Sequence, residues 1–446
     1  MCRNLTRWFS ASILAAGLCH LAAQAQDVST LRSRLGQLRE HSYLAPKATL
    51  AELQKLKPQV DKWPAGEQAR YYSLVSNAAR EVDSKLALAA AAEEERIGRA
   101  LGDDAIVASS LVDRVYVQSS MDDMGEVSKN VALAYELAGK TSDPAILVKT
   151  TITAGQDEIR RGNGRKGLEY IDRAVVLANG SGQALLQFTA LRARAYALSG
   201  LAGRGSEALK AIDELKAKAV AIPFDGPVTR ARLAEYQIAD DAGQLARARE
   251  ALTDVVQSLQ KRRMEELVPD LQVTLADLSL RTQDYREALR LSRESKVAAR
   301  AIDDTMSVEI SQFNEGIALI YLGQLEEGRA AIEASNEEFI DAEALFEYAR
   351  ALDYVGQKEF ALKVYARATR KAAAASAAKV QQQKESHEKE ELLRREEENL
   401  KESQNQSKLQ RAWSVAAALA LLGLLGVTLM FRKLRAANAR LEKSET

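Results

Sequence analysis

The sequence predicts an all-α protein: a helical-repeat solenoid, then a long charged helix and one transmembrane helix. Three observations carry this. Alanine and leucine dominate a chain of 446 residues with 7 prolines and 5% aromatics, so helix formers are abundant and the vocabulary of strands is thin. One pattern of small and apolar residues recurs along the middle of the chain, and an uncharged run of 20 residues, 412–431, lies near its C-terminus.

Residues 1–25 read as a secretory signal peptide. Arg3 and Arg7 open it, an apolar stretch follows, and Ala23-Gln24-Ala25 offers small residues where signal peptidase inspects the chain. Leu18 before Cys19 argues against a lipid-modified cysteine, which wants a small neighbour. Cys2 and Cys19 both fall inside this segment. The processed chain is therefore expected to have no disulfide, no thiol nucleophile and no Cys/His metal cluster. Lys+Arg and Asp+Glu balance at 62 each, which removes any bulk electrostatic reason to bind nucleic acid.

Residues 26–371 hold the repeat. In the string from Gly162 to Ala174 a turn glycine is followed five residues later by Gly167, then by Ile171 and Ala174. The same triplet returns as Ala208/Ile212/Leu215, Ala248/Leu252/Val255, Ala288/Ser292/Ser295, Gly328/Ile332/Ser335 and Ala361/Tyr365/Ala368. Its first members are 41, 40, 40, 40 and 33 residues apart. Earlier copies begin at Val127 and, more weakly, as Ala87/Ala91/Glu94. Five residues ahead of each small residue stands a turn position: Gly162, Gly203, Gly243, Gln283, Gly323 and Gly356. Spacings of four and three place the triplet on one helical face. The small residue admits a neighbouring helix, and the glycine permits the chain to reverse.

Glycine turn, small residue and apolar pair, in that order, resemble the tetratricopeptide repeat over roughly residues 45–370, best after Asp143. The period is nearer 40 than that family's usual 34, and aliphatics mostly replace its aromatics. The resemblance implies a right-handed superhelix of helix pairs, with a concave groove for a peptide or protein.

No catalytic, cofactor-binding or metal-binding residue is expected. Gly162, Gly164 and Gly167 spell the dinucleotide-binding string, but the charged helical end 157–161 stands where a strand is required. The pairs Asp122-Asp123, Asp240-Asp241 and Asp303-Asp304 fall at expected inter-helix turns and read as solvated caps. His41 has no partner in its neighbourhood.

Residues 372–411 lack glycine and proline and are rich in charge, so they read as one helical stalk. A solvated single helix and a weak parallel dimer both fit, because the apolar stripe through Val380, Leu393 and Leu400 is sparse. At about 1.5 Å per residue, the run 412–431 matches a bilayer's hydrocarbon core. Arg432, Lys433, Arg435, Arg440 and Lys443 follow it, so the positive-inside rule puts the tail 432–446 in the cytoplasm and the solenoid outside. In the tail, Phe431, Leu434, Asn438 and Leu441 form a heptad seam for a parallel homodimer.

Signal peptide, repeats, EKEELLRREEENL stalk, span and FRKLRAANARLEKSE tail together resemble one kind of bacterial receptor. It is the periplasmic tetratricopeptide sensor region of membrane-anchored diguanylate cyclases and histidine kinases. Neither a cyclase loop nor a kinase phospho-acceptor occurs through Thr446, so the resemblance covers the input half and transfers no catalytic residue. It implies an inner-membrane protein, single-pass, whose periplasmic region binds a peptide or protein and has no enzyme activity. An envelope scaffold without signalling, and a truncated cyclase or kinase, are the competing readings.

Overall fold

Helix-forming composition becomes helix almost throughout. The structure, a computed structural model, describes residues 28–120 and 124–442, with the side chains of the last helix described in part. No strand occurs among the described residues. The expected signal peptide and Asp122-Asp123 lie outside them.

A hairpin of α1 (28–41) and α2 (Pro46–Val60) opens the described chain. Helix pairs follow: α3 (Ala65–Ala79) with α4 (Ser84–Leu101), α5 (Asp104–Ser120) with α6 (Met124–Ala138), and α7 (Pro144–Arg160) with α8 (Gly164–Gly180). Next come α9 (Ala184–Ser199) with α10 (Gly205–Val220), and α11 (Gly226–Asp241) with α12 (Leu245–Lys261). The last are α13 (Val268–Arg281) with α14 (Tyr285–Ala301), α15 (Thr305–Tyr321) with α16 (Leu325–Glu333), and α17 (Ala342–Tyr354) with the start of α18 (Lys358–Glu442).

Starts and stops follow from local chemistry. Asp143 caps α7 through Ala145 N–H at 2.8 Å, with Pro144 in the first turn, where its missing N–H costs nothing. Asp83, Asp284, Asp304 and Asp341 cap α4, α14, α15 and α17 in the same way. Within the pairs from α7/α8 to α17/α18 the chain turns through a left-handed residue: Gly162, Gly203, Gly243, Gln283, Gly323 and Gly356 all have φ between +62° and +85°. Around Gly162 the N–H of Asn163 reaches back to the carbonyl of Glu158 at 2.8 Å, closing the helix end.

The two helices of a pair meet on the small residue. A Cβ on Gly167 would lie 2.5 Å from the carbonyl oxygen of Gly155, and one on Gly328 would lie 2.6 Å from that of Gly316. Glycine stands on both sides of these contacts, so α7 and α8, and α15 and α16, touch backbone to backbone. Elsewhere alanine suffices: Ala208, Ala248, Ala288 and Ala361 are buried.

The described chain divides between Ala378 and Lys379. The first unit holds the helix pairs. The second is the remainder of α18, in which Arg395 pairs with Glu391 one turn away. Residues 412–431 are helical in backbone, and most of their side chains lie outside the described residues. Among the described residues no helix is long and apolar enough to cross a membrane. The side chains of Leu434, Asn438 and Leu441, the expected dimer seam, lie outside as well.

Candidate functional site

Odd-numbered helices pack on the next of their kind at most steps, and α11 and α13 are joined through the Arg281–Asp240 ion pair. α3 lies against α5, α5 against α7, α7 against α9, α9 against α11, α13 against α15 and α15 against α17, whereas the intervening helices are splayed from one another. The odd-numbered helices therefore form the inner wall of the curve. Polar side chains tie this wall together one repeat at a time. Ser73 donates to Asp113 at 2.8 Å across 40 residues, and Lys149 to Ser109 at 3.3 Å across 40. Ser199 donates to Asp241 at 2.9 Å across 42 residues, and Asn314 to the carbonyl of Val273 at 3.5 Å across 41. Arg160 with Ser119 and Tyr196 with Gln237 add two more rungs.

Near the N-terminal end the wall holds a buried charge network. Asp113 accepts from Ser73, from Asn77 at 3.1 Å and from Lys149 at 2.7 Å. Glu94 on α4 is 3% exposed beside it. Burial and then the Asp113 charge raise its carboxyl well above the usual range, while Lys149 pulls it back. A pocket of about 80 Å³ opens here between Asn77, Arg80, Asp113, Tyr116 and Lys149. The Arg80 guanidinium sits 4.2 Å from the centre of the Tyr116 ring.

The α1–α2 corner reaches across to this wall. Leu44 is 1% exposed in a cluster with Val148, Ile152, Phe188 and Leu271. Tyr43 stands 5.7 Å from Arg80. The free N–H groups of Lys47 and Ala48, at the start of α2, donate to the Glu266 carboxylate at 2.9 and 2.6 Å. A carboxylate at a helix N-terminus is favoured by hydrogen bonding and by the helix dipole.

Beyond the corner lie Phe188, Arg192 and Tyr196 on α9 and Arg230 on α11. The Arg230 guanidinium is 5.5 Å from the Phe188 ring centre. Its buried Nε has no hydrogen-bond partner. Burial, reinforced by the Arg192 charge, pulls Arg230 down to about 10, and burial pushes the Tyr196 phenol up to about 12.

Further along, the sign reverses. Asp240, Asp270 and Asp277 gather around Tyr236, with Glu343 near Asp277. Arg281 holds Asp240 at 2.7 Å and Asp277 at 3.5 Å. Burial raises Asp277 to about 6 against the pull of Arg281, with Glu343 and Asp240 adding repulsion. Yet the Asp277 side chain is 46% exposed and Asp270 is exposed too. Water therefore reaches both carboxyls.

The residues singled out in the sequence lie elsewhere. Gly162, Gly243, Gly323 and Gly356 are in turns. Gly167, Ile171, Ala174, Ala208, Ala248, Ala288, Gly328, Ala361 and Ala368 are buried on the even-numbered helices, with Tyr365 partly buried beside them. They set how pairs pack and do not line the inner wall. Gly162, Gly164 and Gly167 follow α7, a helix, so the strand that a dinucleotide loop needs is not there. Asp240 and Asp241 end α11 in contacts with Arg281 and Ser199, and Asp304 caps α15. His41 is exposed. Among the described residues no cluster of His, Cys, Asp and Glu is built to hold a metal. The wall residues went unrecognised in the sequence, although Tyr196 and Tyr236 stand one period apart and Tyr116 two periods before Tyr196.

No family model and no curated protein matches the sequence. Solved structures are similar in fold. RapI in its apo form has 13% identity and a TM-score of 0.50, covering 79% of this chain and 99% of its own. A Rap protein complexed with Competence and Sporulation Factor has 11% identity and a TM-score of 0.49 over the same shares, 79% and 99%. A signal-transduction ATPase from Pyrococcus horikoshii with a tetratricopeptide repeat sensor has 13% identity and a TM-score of 0.45, covering 74% of this chain and 53% of its own. At such identity the likeness is one of fold: the first unit is a tetratricopeptide-like helical repeat.

Proposed function

We propose that this chain is a membrane-anchored receptor whose solenoid binds an extended peptide, or an extended segment of a protein, along its inner wall outside the cytoplasm. The observation that carries the reading is the polarity of that wall. Arg192 and Arg230 sit on its N-terminal side and Asp240, Asp270, Asp277 and Glu343 on its C-terminal side, with Tyr196 and Tyr236 between them. A peptide has the matching polarity, and aromatic side chains give it contact area at low entropic cost. The N-terminal signal, the uncharged run 412–431 and the basic residues after it support an inner-membrane protein with its solenoid in the periplasm and its tail in the cytoplasm. Stalk and tail then carry the bound state toward a cytoplasmic output, as in a signalling input module.

Binding of a random octapeptide pool to the full chain tests the groove. Enrichment of a subset, lost when Tyr196 and Tyr236 are both changed to alanine, is expected; no enrichment contradicts the reading. Topology is tested with single cysteines, because the only native ones are Cys2 and Cys19. Ser181→Cys should react with an impermeant maleimide in intact spheroplasts, and Ser444→Cys only after lysis. The reverse pattern would remove the periplasmic assignment.

A further inference from the structure

We propose that Arg192 and Arg230 are the docking site for a carboxylate of the bound peptide. This deepens the groove reading above and rests on it. Arginine does not give up its proton in proteins, so two guanidiniums on adjacent inner helices repel unless an anion joins them. The inner helices otherwise leave few such charges uncompensated: Arg114, Arg160, Arg194, Arg232, Arg281 and Arg350 each hold a carboxylate. Arg194 and Arg232 stand two residues beyond the pair on the same two helices, so the contrast is local. Arg192 and Arg230 make no ion pair among the described residues. Glu40, at the α1–α2 corner, is within electrostatic reach of Arg230 without pairing to it, and Arg39 beside it adds positive charge.

Donor geometry points the same way. Arg230 Nε is buried and lacks a hydrogen-bond partner among the described residues, so the fold itself leaves this guanidinium uncompensated. Phe188 lies against the guanidinium, and it is 1% exposed on the face of α9 that carries Arg192 one turn later. An arginine stacked on one side keeps its edge free for the paired hydrogen bonds that a carboxylate accepts. The carboxylate comes either from an acidic side chain or from the peptide's C-terminus.

Octapeptide pools with a free C-terminus or a C-terminal amide, each with or without Asp and Glu, separate the sources when titrated against the full chain. Binders should carry at least one carboxylate. R192Q or R230Q should weaken them tenfold or more, and lysine at either position should restore part of the loss. Neither glutamine variant should lower Tm, because removing one charge relieves repulsion, whereas losing a structural ion pair would lower it. If both variants bind wild-type ligands unchanged, or pools lacking every carboxylate bind equally well, the inference falls and the groove reading stands. If no pool binds, both fall. If inorganic phosphate displaces the peptides through Arg192 and Arg230 while their carboxylates prove dispensable, the pair is a phosphate site and the inference is overturned.

Discussion

Glu94 occupies the third position of its repeat's packing triplet, where later repeats place Ala174, Leu215 and Val255. A carboxyl in that slot loses water without gaining a full ion pair, so its raised pKa is a statement about stability. The folded state holds the Glu94 proton more tightly than the unfolded chain does. Its contribution is therefore complete below about pH 4.5, the ordinary value, and declines as pH rises through the raised value. Glu94→Gln should match the wild type near pH 4.5 and melt at a higher temperature near pH 8. Equal destabilisation at both pH values would contradict a buried neutral carboxyl. Asp277, raised to about 6, bears on the proposed peptide binding instead. A cationic peptide end resting there should bind more weakly as pH falls through about 6, and Asp277→Asn should abolish that dependence. The sequence exposed Glu94 as a misfit in a periodic pattern. It could not expose Arg192 and Arg230, whose significance lies in the absence of an ion-pair partner among the described residues and depends on three-dimensional placement.

At the scale of helices and turns, periodicity was informative where packing is local. From α7/α8 onward, the left-handed residue within each pair stands at a sequence position that the repeat marks, including Gln283, a side chain in a conformation suited to glycine. A second set of left-handed turns, at Gly102, Gly182, Arg263 and Asp303, joins successive pairs; only Asp303 stood out in the sequence as a turn position, because half of the set is not glycine. The glycines facing Gly167 and Gly328, namely Gly155 and Gly316, were readable 12 residues upstream of their partners. Gly167→Ala should cost about 1–3 kcal/mol, because the Cβ meets backbone that cannot swing away. Gly180→Ala, in the same helix with nothing within 4 Å of the new atom, should be neutral or slightly stabilising in urea unfolding. The α1–α2 corner had no sequence signal at all, since Ala48 and Glu266 are 218 residues apart. Leu44→Ala should cost about 2–5 kcal/mol and speed amide exchange in both the corner and the 265–267 turn. Faster exchange in the corner alone would mean that the corner does not brace the solenoid.

For the whole molecule, the repeat and, among the described residues, the absence of strand were legible because each rests on composition or on a period spanning hundreds of residues. The lining of the groove was not, because it rests on which helix of each pair faces inward, and only the packing of odd-numbered helices on one another decides that. The tail adds a separate expectation. If Leu434 and Leu441 form a dimer seam, cysteines at those positions should crosslink in membranes, and cysteines at Ala436 or Ala439 poorly. Equal crosslinking at all four would remove the seam. The central claim is that the inner wall is the ligand surface, and photo-crosslinking tests it most directly. Benzoylphenylalanine placed at Tyr196, on α9, should capture an octapeptide selected by the full chain. The same residue placed at Val176, 69% exposed on α8, should not. Capture at Val176, or at neither position, would contradict the account.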